Sequence, residues 1–378
     1  MIIKGVNAQL ESKIKVGILF GGQSVEHEIS ILSARSIYEA IDKEKYDVVL
    51  IGIDKQGGWH FSDEQIFLEY NATHQLRSFT NKSDQQLALI PGRKVDFLYH
   101  LSTREKPKPV DVVFPVLHGT NGEDGSIQGF LKLSGIPFVG AGILGSAIGM
   151  DKEVTKRLLH DAGISIPHFQ VVRQIDSNKI DLLQIQAEFG LPLFIKPANL
   201  GSSVGISKVK VVDEIKPAID KAFLYDQKIL IEECILGREI ECSVLGNEHP
   251  EASLPGEIKP NHEFYSYQAK YLDENGANFE VPAKLPDNLI KEIQETALKV
   301  FQVLEIEGMA RVDFFLQEDG KLLVNEVNTI PGFTKISMYP KLWEASGLSY
   351  KDLITRLIEL AIERAERDQK LKTTYEEY

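Results

Sequence analysis

The stretch GMARVDFFLQEDGKLLVNEVN, residues 308–328, limits the fold more than any other part of the chain. Two apolar, alternating runs flank Asp319-Gly320, a dipeptide that closes two-residue β-hairpins because both central positions tolerate positive φ. Such a turn fixes the register. Pairing Glu318 with Lys321 and counting outward sets Asp313 opposite Glu326 and Arg311 opposite Asn328. Alternation along a strand then puts all four on one face of the ribbon. Directly opposed side chains have Cβ atoms ~4.5–5.5 Å apart, and like charges there are destabilising. Arg311 alone could offset the repulsion, one carboxylate could stay protonated, or a hard divalent cation could sit between them. The cation explains more of the pattern, because Asp313, Glu326 and the Asn328 carbonyl are oxygen ligands of the kind Mg²⁺ accepts while keeping waters and phosphate oxygens.

The segment that follows, TIPGFTKISMYP, leaves the second strand through Pro331-Gly332 and brings Thr334, Lys335 and Ser337 to the start of a helix. Backbone N–H groups at a helix start favour an anion. Beside a metal, this is a place for a carboxylate or a developing oxyanion.

The N-terminal part reads as parallel α/β. IKVGILF (14–20) is a buried strand, GGQSVEHEIS a loop, the next stretch an amphipathic helix to about Asp42, and YDVVLIGID (46–54) a second strand. Residues 55–110 are patchier and look like an excursion before DVVFPVLHG resumes the strand pattern. GIPFVGAGILGSAIGMD, rich in small residues, reads as a boundary between domains. Beyond it come a helix from Asp151 to about Ala162, a smaller α/β region, a strand-rich region, the hairpin and two closing helices. Gly21-Gly22 stands where a dinucleotide-binding chain carries G-x-G-x-x-G, and the fingerprint fails, so an NAD-dependent oxidoreductase is disfavoured. What remains is a loop at the carboxyl end of a parallel strand that carries Glu26, His27 and Glu28 into a helix.

With 378 residues there is room for two or three cores. The net charge of −13 argues against nucleic acid as the main partner. No apolar run reaches membrane-spanning length and the first residues lack a signal-peptide pattern, so the expected location is cytoplasmic. Cys234 and Cys242 fit no disulfide framework and no metal spacing, and read as packing residues.

KPANLGSSVGISKV (196–209) has the composition of a phosphate-binding loop, but no Gly-Lys-Ser/Thr follows. It reads instead as a glycine- and serine-rich flap between two strands, whose successive N–H groups can form an anion-binding nest.

Seven strings, GGQSVEHEIS, LHGTNGEDGSIQG, MDKEVTKRLL, KPANLGSSVGISKV, YSYQAKY, RVDFF and NEVNTIPGFTKISMYP, occur in an order in which the chain resembles the D-alanine–D-alanine ligases of the ATP-grasp superfamily, over nearly its full length. The resemblance implies an α/β (α+β ATP-grasp) fold of three domains. An N-terminal extension (1–13) precedes a substrate-binding α/β domain (14–145). A central ATP-grasp subdomain (146–225) and a C-terminal one (226–378) follow, the last with the metal site and a lid at 261–282.

The implied reaction joins two D-alanine molecules at the expense of ATP, through a D-alanyl phosphate, for peptidoglycan precursor synthesis. By the same resemblance, Lys152 and Lys196 contact ATP phosphates, Lys270 reaches the γ-phosphate, and Ser202 and Ser203 belong to the phosphate flap. Glu232 and the backbone of Glu233, Cys234 and Ile235 flank the base, Glu239 meets the ribose, and Asn325 and Glu326 belong to the ATP site. Asp313, Glu326 and Asn328 look like ligands for Mg²⁺, two ions being usual and Mn²⁺ a substitute. Glu26 resembles the residue holding the first D-alanine's ammonium, with His118 nearby. Arg311 and the Gly332 backbone resemble the oxyanion stabilisers, and Ser337 with Met338 the site of the second carboxylate. Ser202 and Tyr271 complete, with Glu26, a hydrogen-bonded link from lid to substrate floor. Tyr271 favours D-alanine as second substrate over the D-lactate or D-serine of related ligases. A homodimer is implied as well. A catalytically silent nucleotide-binding protein is the rival from another class, and the intact Asp313, Glu326, Asn328 and Arg311 speak against it.

Overall fold

The computed structural model describes residues 13–69, 86–92, 98–101, 109–260 and 277–375. Its first sheet has the order Trp59–Phe61, Tyr46–Ile53, Ile14–Gly21, Val112–Pro115. The last three strands are parallel, and Trp59–Phe61 is an antiparallel edge. Part of the expected excursion at 55–110 therefore belongs to the sheet. The chain leaves Ile14–Gly21 toward one side through the helix His27–Ala40 and returns later on the other side. The point where strand order reverses lies between Ile14–Gly21 and Val112–Pro115, and ligands of open α/β sheets bind at the carboxyl ends of strands there. The loops that emerge at that point carry Glu26 and His118. At the end of the first strand Gly21 has φ +90°, and a Cβ there would stand 2.2 Å from the Ile53 carbonyl oxygen, so the turn toward Glu26 requires glycine.

One face of this sheet is closed from far along the chain. Val16, Ile18, Phe20, Val112 and Phe114 form one buried cluster with Ile31, Ala34 and Ile37 of His27–Ala40, and with Leu353, Ile354, Leu357 and Ile358 of the final helix, Tyr350–Gln369. Arg364 of that helix donates to the Phe138 and Gly140 carbonyls at 2.7 and 2.6 Å.

The second sheet is antiparallel, in the order Phe169–Arg173, Lys228–Glu233, Leu193–Pro197, Ser207–Val209. The third, also antiparallel, runs Ala277–Glu280, Gly256–Pro260, Arg238–Gly246, Gly308–Leu316, Leu322–Asn328, with Glu251–Ala252 paired to Arg238–Gly246. The helix Asp287–Val303 packs Ile293, Ala297, Val300 and Phe301 onto it.

The small-residue stretch expected to mark a domain boundary contains the helix Ile143–Met150, followed directly by Lys152–Asp161. Its glycines serve close approach: a Cβ on Gly145 would lie 2.7 Å from the Glu305 carbonyl oxygen, and one on Gly149 2.8 Å from Thr329 Cγ2. Asp151 separates the two helices and caps the second, accepting from the Glu153 and Val154 N–H groups at 3.1 and 3.2 Å. The expected lid at 261–282 is too long, because Ala277–Glu280 pairs with Gly256–Pro260 as an edge strand. The remainder, 261–276 with Lys270 and Tyr271, lies outside the described residues.

The hairpin turn also differs from expectation. Leu316 pairs with Leu322 and Gln317 N donates to Lys321 O at 3.0 Å, so the turn is a three-residue loop with Gly320 at φ +87°, not a two-residue one. A bulge at Asn325 shifts the register by one between Asp313 and Phe314. The two departures cancel. Asp313 stands opposite Glu326 and Arg311 opposite Asn328, as expected.

Candidate active site

Two cavities meet at Glu326. One, of about 100 Å³, is lined by Glu26, His118, Ser202, Arg311, Asn328 and Ser337 among others. The other, of about 220 Å³, lies between the second and third sheets and is lined by Lys196, Ser203, Glu232, Ile235, Glu239 and Asn325 among others. Most of the sequence-derived residues thus fall into two groups, with Glu326 in the wall of both, whereas Lys152 and Asp313 line neither cavity.

In the first cavity Glu26 is 4% exposed. Its Oε1 accepts from the Ser202 hydroxyl, which joins the flap to the N-terminal domain. Its Oε2 is buried with no hydrogen-bond donor among the described residues. A carboxylate oxygen held so needs a partner, and a ligand ammonium supplies one. Ser202 and Ser203 sit at φ +52° and +59°, both in the left-handed region that non-glycine residues adopt in tight turns.

His118 faces Ile330 O through Nδ1 at 3.0 Å and Ser33 Oγ through Nε2 at 3.2 Å. Burial pushes its pKa down, so the ring is neutral near pH 7. Gly332 and Ser337 are neighbours, Ser337 Oγ accepting from Thr334 N at 3.0 Å. Met338 begins the helix Met338–Ala345. Lys335 points away, 84% exposed and 3.9 Å from Glu39.

Glu123 was not found from the sequence. Its Oε2 accepts from Gly119 N at 2.8 Å and its Oε1 from Ile330 N at 3.0 Å, tying the loop beside Glu26 to the end of the hairpin. Burial, and then the charge of Glu26, push its pKa up to about 8 from 4.5. Between those values the folded chain holds a proton that the unfolded chain has lost. The contribution of Glu123 to stability is therefore present below pH 4.5 and is lost as pH rises toward 8. In Glu123→Gln that slope disappears, so the variant should gain on the parent by roughly 1–3 kcal/mol between pH 5 and pH 8, over and above a constant cost for its changed hydrogen bonds. Urea unfolding at the two pH values measures the difference. A constant gap would mean that Glu123 ionises as it does in the unfolded chain.

Around the junction three carboxylates stand side by side on adjacent strands, Glu241 opposite Asp313 and Asp313 opposite Glu326. Arg311 donates from Nε and Nη2 to the two oxygens of Asp313, both at 2.7 Å, and its Nε lies 3.0 Å from Glu241 Oε2. Burial disfavours the Arg311 cation, but Asp313 and Glu241 outweigh it and hold its pKa well above the usual value. Asn328 Nδ2 donates to Asp313 Oδ2 at 3.0 Å. Lys152 Nζ lies 3.6 Å from Glu326 Oε2 and donates to Leu200 O at 2.7 Å. Arg311 thus does part of the work foreseen for a metal. The row still has three anions against Arg311 and Lys152, and its donors are all hard oxygens, which fits a divalent cation. Among the described residues no cluster of three His, Cys, Asp or Glu side chains has the arrangement of a metal site; the candidate set is two carboxylates and an amide. Glu241 was missed because nothing in REIECSVLG signals a partner 72 positions away.

In the second cavity Lys196 Nζ is 2.7 Å from Glu232 Oε2. Burial works against the Glu232 charge, yet Lys156 and Lys196 hold its pKa below the usual range. The Glu233 side chain turns out of the cavity to accept from His168 N at 2.7 Å, so only its backbone is available to a base. Cys234 is free and half-buried, and Cys242 is a buried free thiol that burial pushes up to about 12, in line with packing roles.

Two family models match the chain, that for the D-ala D-ala ligase N-terminus over residues 15–141 and that for the D-ala D-ala ligase C-terminus over residues 158–359. A curated relative, the D-alanine–D-alanine ligase of Oceanobacillus iheyensis, is 53% identical over 96% of this chain and 99% of its own. Among solved structures, the D-alanine–D-alanine ligase from Coxiella burnetii matches with TM-score 0.83 and 40% identity over 95% of this chain and 96% of its own. The VanG D-Ala:D-Ser ligase from Enterococcus faecalis matches with TM-score 0.81 and 36% identity over 93% of this chain and 100% of its own.

Proposed function

Because the chain belongs to the D-alanine–D-alanine ligase family, it is an ATP-dependent ligase of two D-alanine molecules, and we propose the division of labour that follows. The observation that carries it is the meeting of the two cavities at Glu326. The cavity between the sheets takes ATP, with the base against Glu232 and the Glu233–Ile235 backbone, the ribose at Glu239, and the phosphates toward Lys152, Lys196 and the Ser202–Ser203 flap. The other cavity takes the amino acids. Glu26 Oε2, which accepts from no donor among the described residues, supports it as the acceptor for the first ammonium.

A carboxylate is a poor electrophile. Moving the γ-phosphoryl group onto a carboxylate oxygen of the first D-alanine gives an acyl phosphate and ADP. The second amine, once deprotonated, attacks the carbonyl carbon; the bond to the phosphate oxygen then breaks and phosphate leaves. The transition-state charge falls on the carbonyl oxygen, where Arg311 and the Gly332 N–H would receive it. Asp313, Glu326 and Asn328 would hold Mg²⁺, which when bound neutralises phosphate charge during transfer. Ser337 and the Met338 N–H would hold the second carboxylate. Glu123 and His118 keep Ile330, and hence the Gly332 loop, in place from the N-terminal side.

The identity of the second substrate is supported by the curated relatives at 53–54%, named as D-alanine–D-alanine ligases, against 36% for the D-serine enzyme. Phosphate release from ATP, with D-alanine, L-alanine, D-serine and D-lactate offered in turn, with and without Mg²⁺, tests the whole reading. Turnover only with D-alanine and Mg²⁺ is expected; none with D-alanine would end it. Among the described residues no helix is long and apolar enough to cross a membrane. A cytoplasmic homodimer is part of the proposal, with sedimentation as its check.

A further inference from the structure

Lys156 lies one helical turn beyond Lys152 on the inward face of Lys152–Asp161. It is 1% exposed, an unusual depth for an ammonium. Among the described residues its Nζ has Glu232 as ion-pair partner and no well-aligned hydrogen bond. Glu232 Oε1 lies 3.3 Å away and the Phe169 ring centroid 5.8 Å away. Lys156 does not line the nucleotide cavity, whereas Glu232 and Lys196 do. One buried carboxylate therefore carries two cations, one inside the cavity and one behind its wall.

The pairing is redundant only without nucleotide. Once Lys196 turns toward a polyphosphate, Glu232 would, but for Lys156, be left as a buried carboxylate without a counter-ion, a costly arrangement. We propose that Lys156 is a positioning residue for the nucleotide, a standing counter-ion that keeps Glu232 ionised and aimed at the base while Lys196 goes to the phosphates. The inference rests on reading this cavity as the ATP site. An ionised Glu232 can only accept hydrogen bonds, so it prefers the exocyclic amino group of adenine to the carbonyl of hypoxanthine. Lys156 then acts on base choice without touching the base.

Kinetics with ATP and with ITP separate the possibilities, for the parent, Lys156→Met, Lys156→Arg, Glu232→Gln and the double variant, with thermal unfolding of each. Lys156→Met should raise KM for ATP about tenfold or more, reduce the preference for ATP over ITP by a similar factor, and change kcat at saturating ATP less than about threefold. Lys156→Arg should restore most of the loss. In the Glu232→Gln background Lys156→Met should add nothing further. If Lys156→Met does not fold, Lys156→Gln, which can still donate to Glu232 without charge, carries the same comparison. Lower thermal stability with KM and preference unchanged would make Lys156 a structural brace and overturn the proposal. A shifted preference in Glu232→Gln with none in Lys156→Met would overturn it while leaving the base contact standing. No shift in Glu232→Gln would remove the base contact, and the proposal with it.

Discussion

Replacing Glu326 by Gln should reduce turnover by about 10²–10³-fold while changing stability by no more than about 1 kcal/mol. The small stability effect follows from the charge balance at the junction. Glu241, Asp313 and Glu326 form a row on neighbouring strands, and Arg311 and Lys152 are the cations beside it. Removing one negative charge relieves repulsion in the row at the expense of contacts such as the 3.6 Å approach of Lys152. The activity effect follows from position, since Glu326 lies in the wall of both cavities, where phosphate charge must be neutralised as it passes between substrates. Asp313→Asn should lose as much activity and somewhat more stability, because it also gives up half of a two-pronged contact with Arg311. Phosphate release at saturating substrates and Mg²⁺, beside urea unfolding, measures both quantities. Parent-like turnover in a stably folded Glu326→Gln would remove the metal assignment.

Arg311 should behave in the opposite sense, as a residue on which both fold and chemistry depend. Arg311→Met leaves Glu241 and Asp313 facing each other without the guanidinium between them, and should lower stability by roughly 3–5 kcal/mol. Arg311→Lys keeps the charge but loses the planar fork, so one ammonium cannot reproduce the three contacts that Arg311 makes with Asp313 and Glu241. Its kcat should fall by about 10²–10³-fold, while KM for ATP moves little. An Arg311→Lys enzyme with parent-like kcat would show that the oxyanion is stabilised from elsewhere.

The hairpin shows both the reach and the limit of reading residues alone. The expected pairing of Asp313 with Glu326 is present, yet the turn has one residue more than expected and the bulge at Asn325 absorbs it. Turn residues reported that a hairpin forms. They could not report the bulge, which places Asn325 and Glu326 on consecutive half-buried positions. The glycines and serine of GILGSAIGM suggested a boundary because their intrinsic preference is for turns. Tertiary contact with Glu305, Ile306 and Thr329 makes the same small residues a condition for a packed helix. Glu26, Ser202 and Arg311 were legible because the strings around them are distinctive. Glu123, Lys156 and Glu241 were not, since each acquires its role from a partner distant in sequence. For Lys156 a local signal was available: in MDKEVTK the two lysines are four apart and share a helix face.

The closure of the first sheet by Tyr350–Gln369 has a consequence for how the chain reaches its native state. Strands of the first sheet share a core with a helix more than two hundred residues later. Folding of the first sheet during translation therefore stops short of completion, with one apolar face unsealed until this helix leaves the ribosome. Loop-closure entropy for those contacts must be met before they return any stability. Until then the early strands carry the exposure to misassembly that the finished molecule no longer shows.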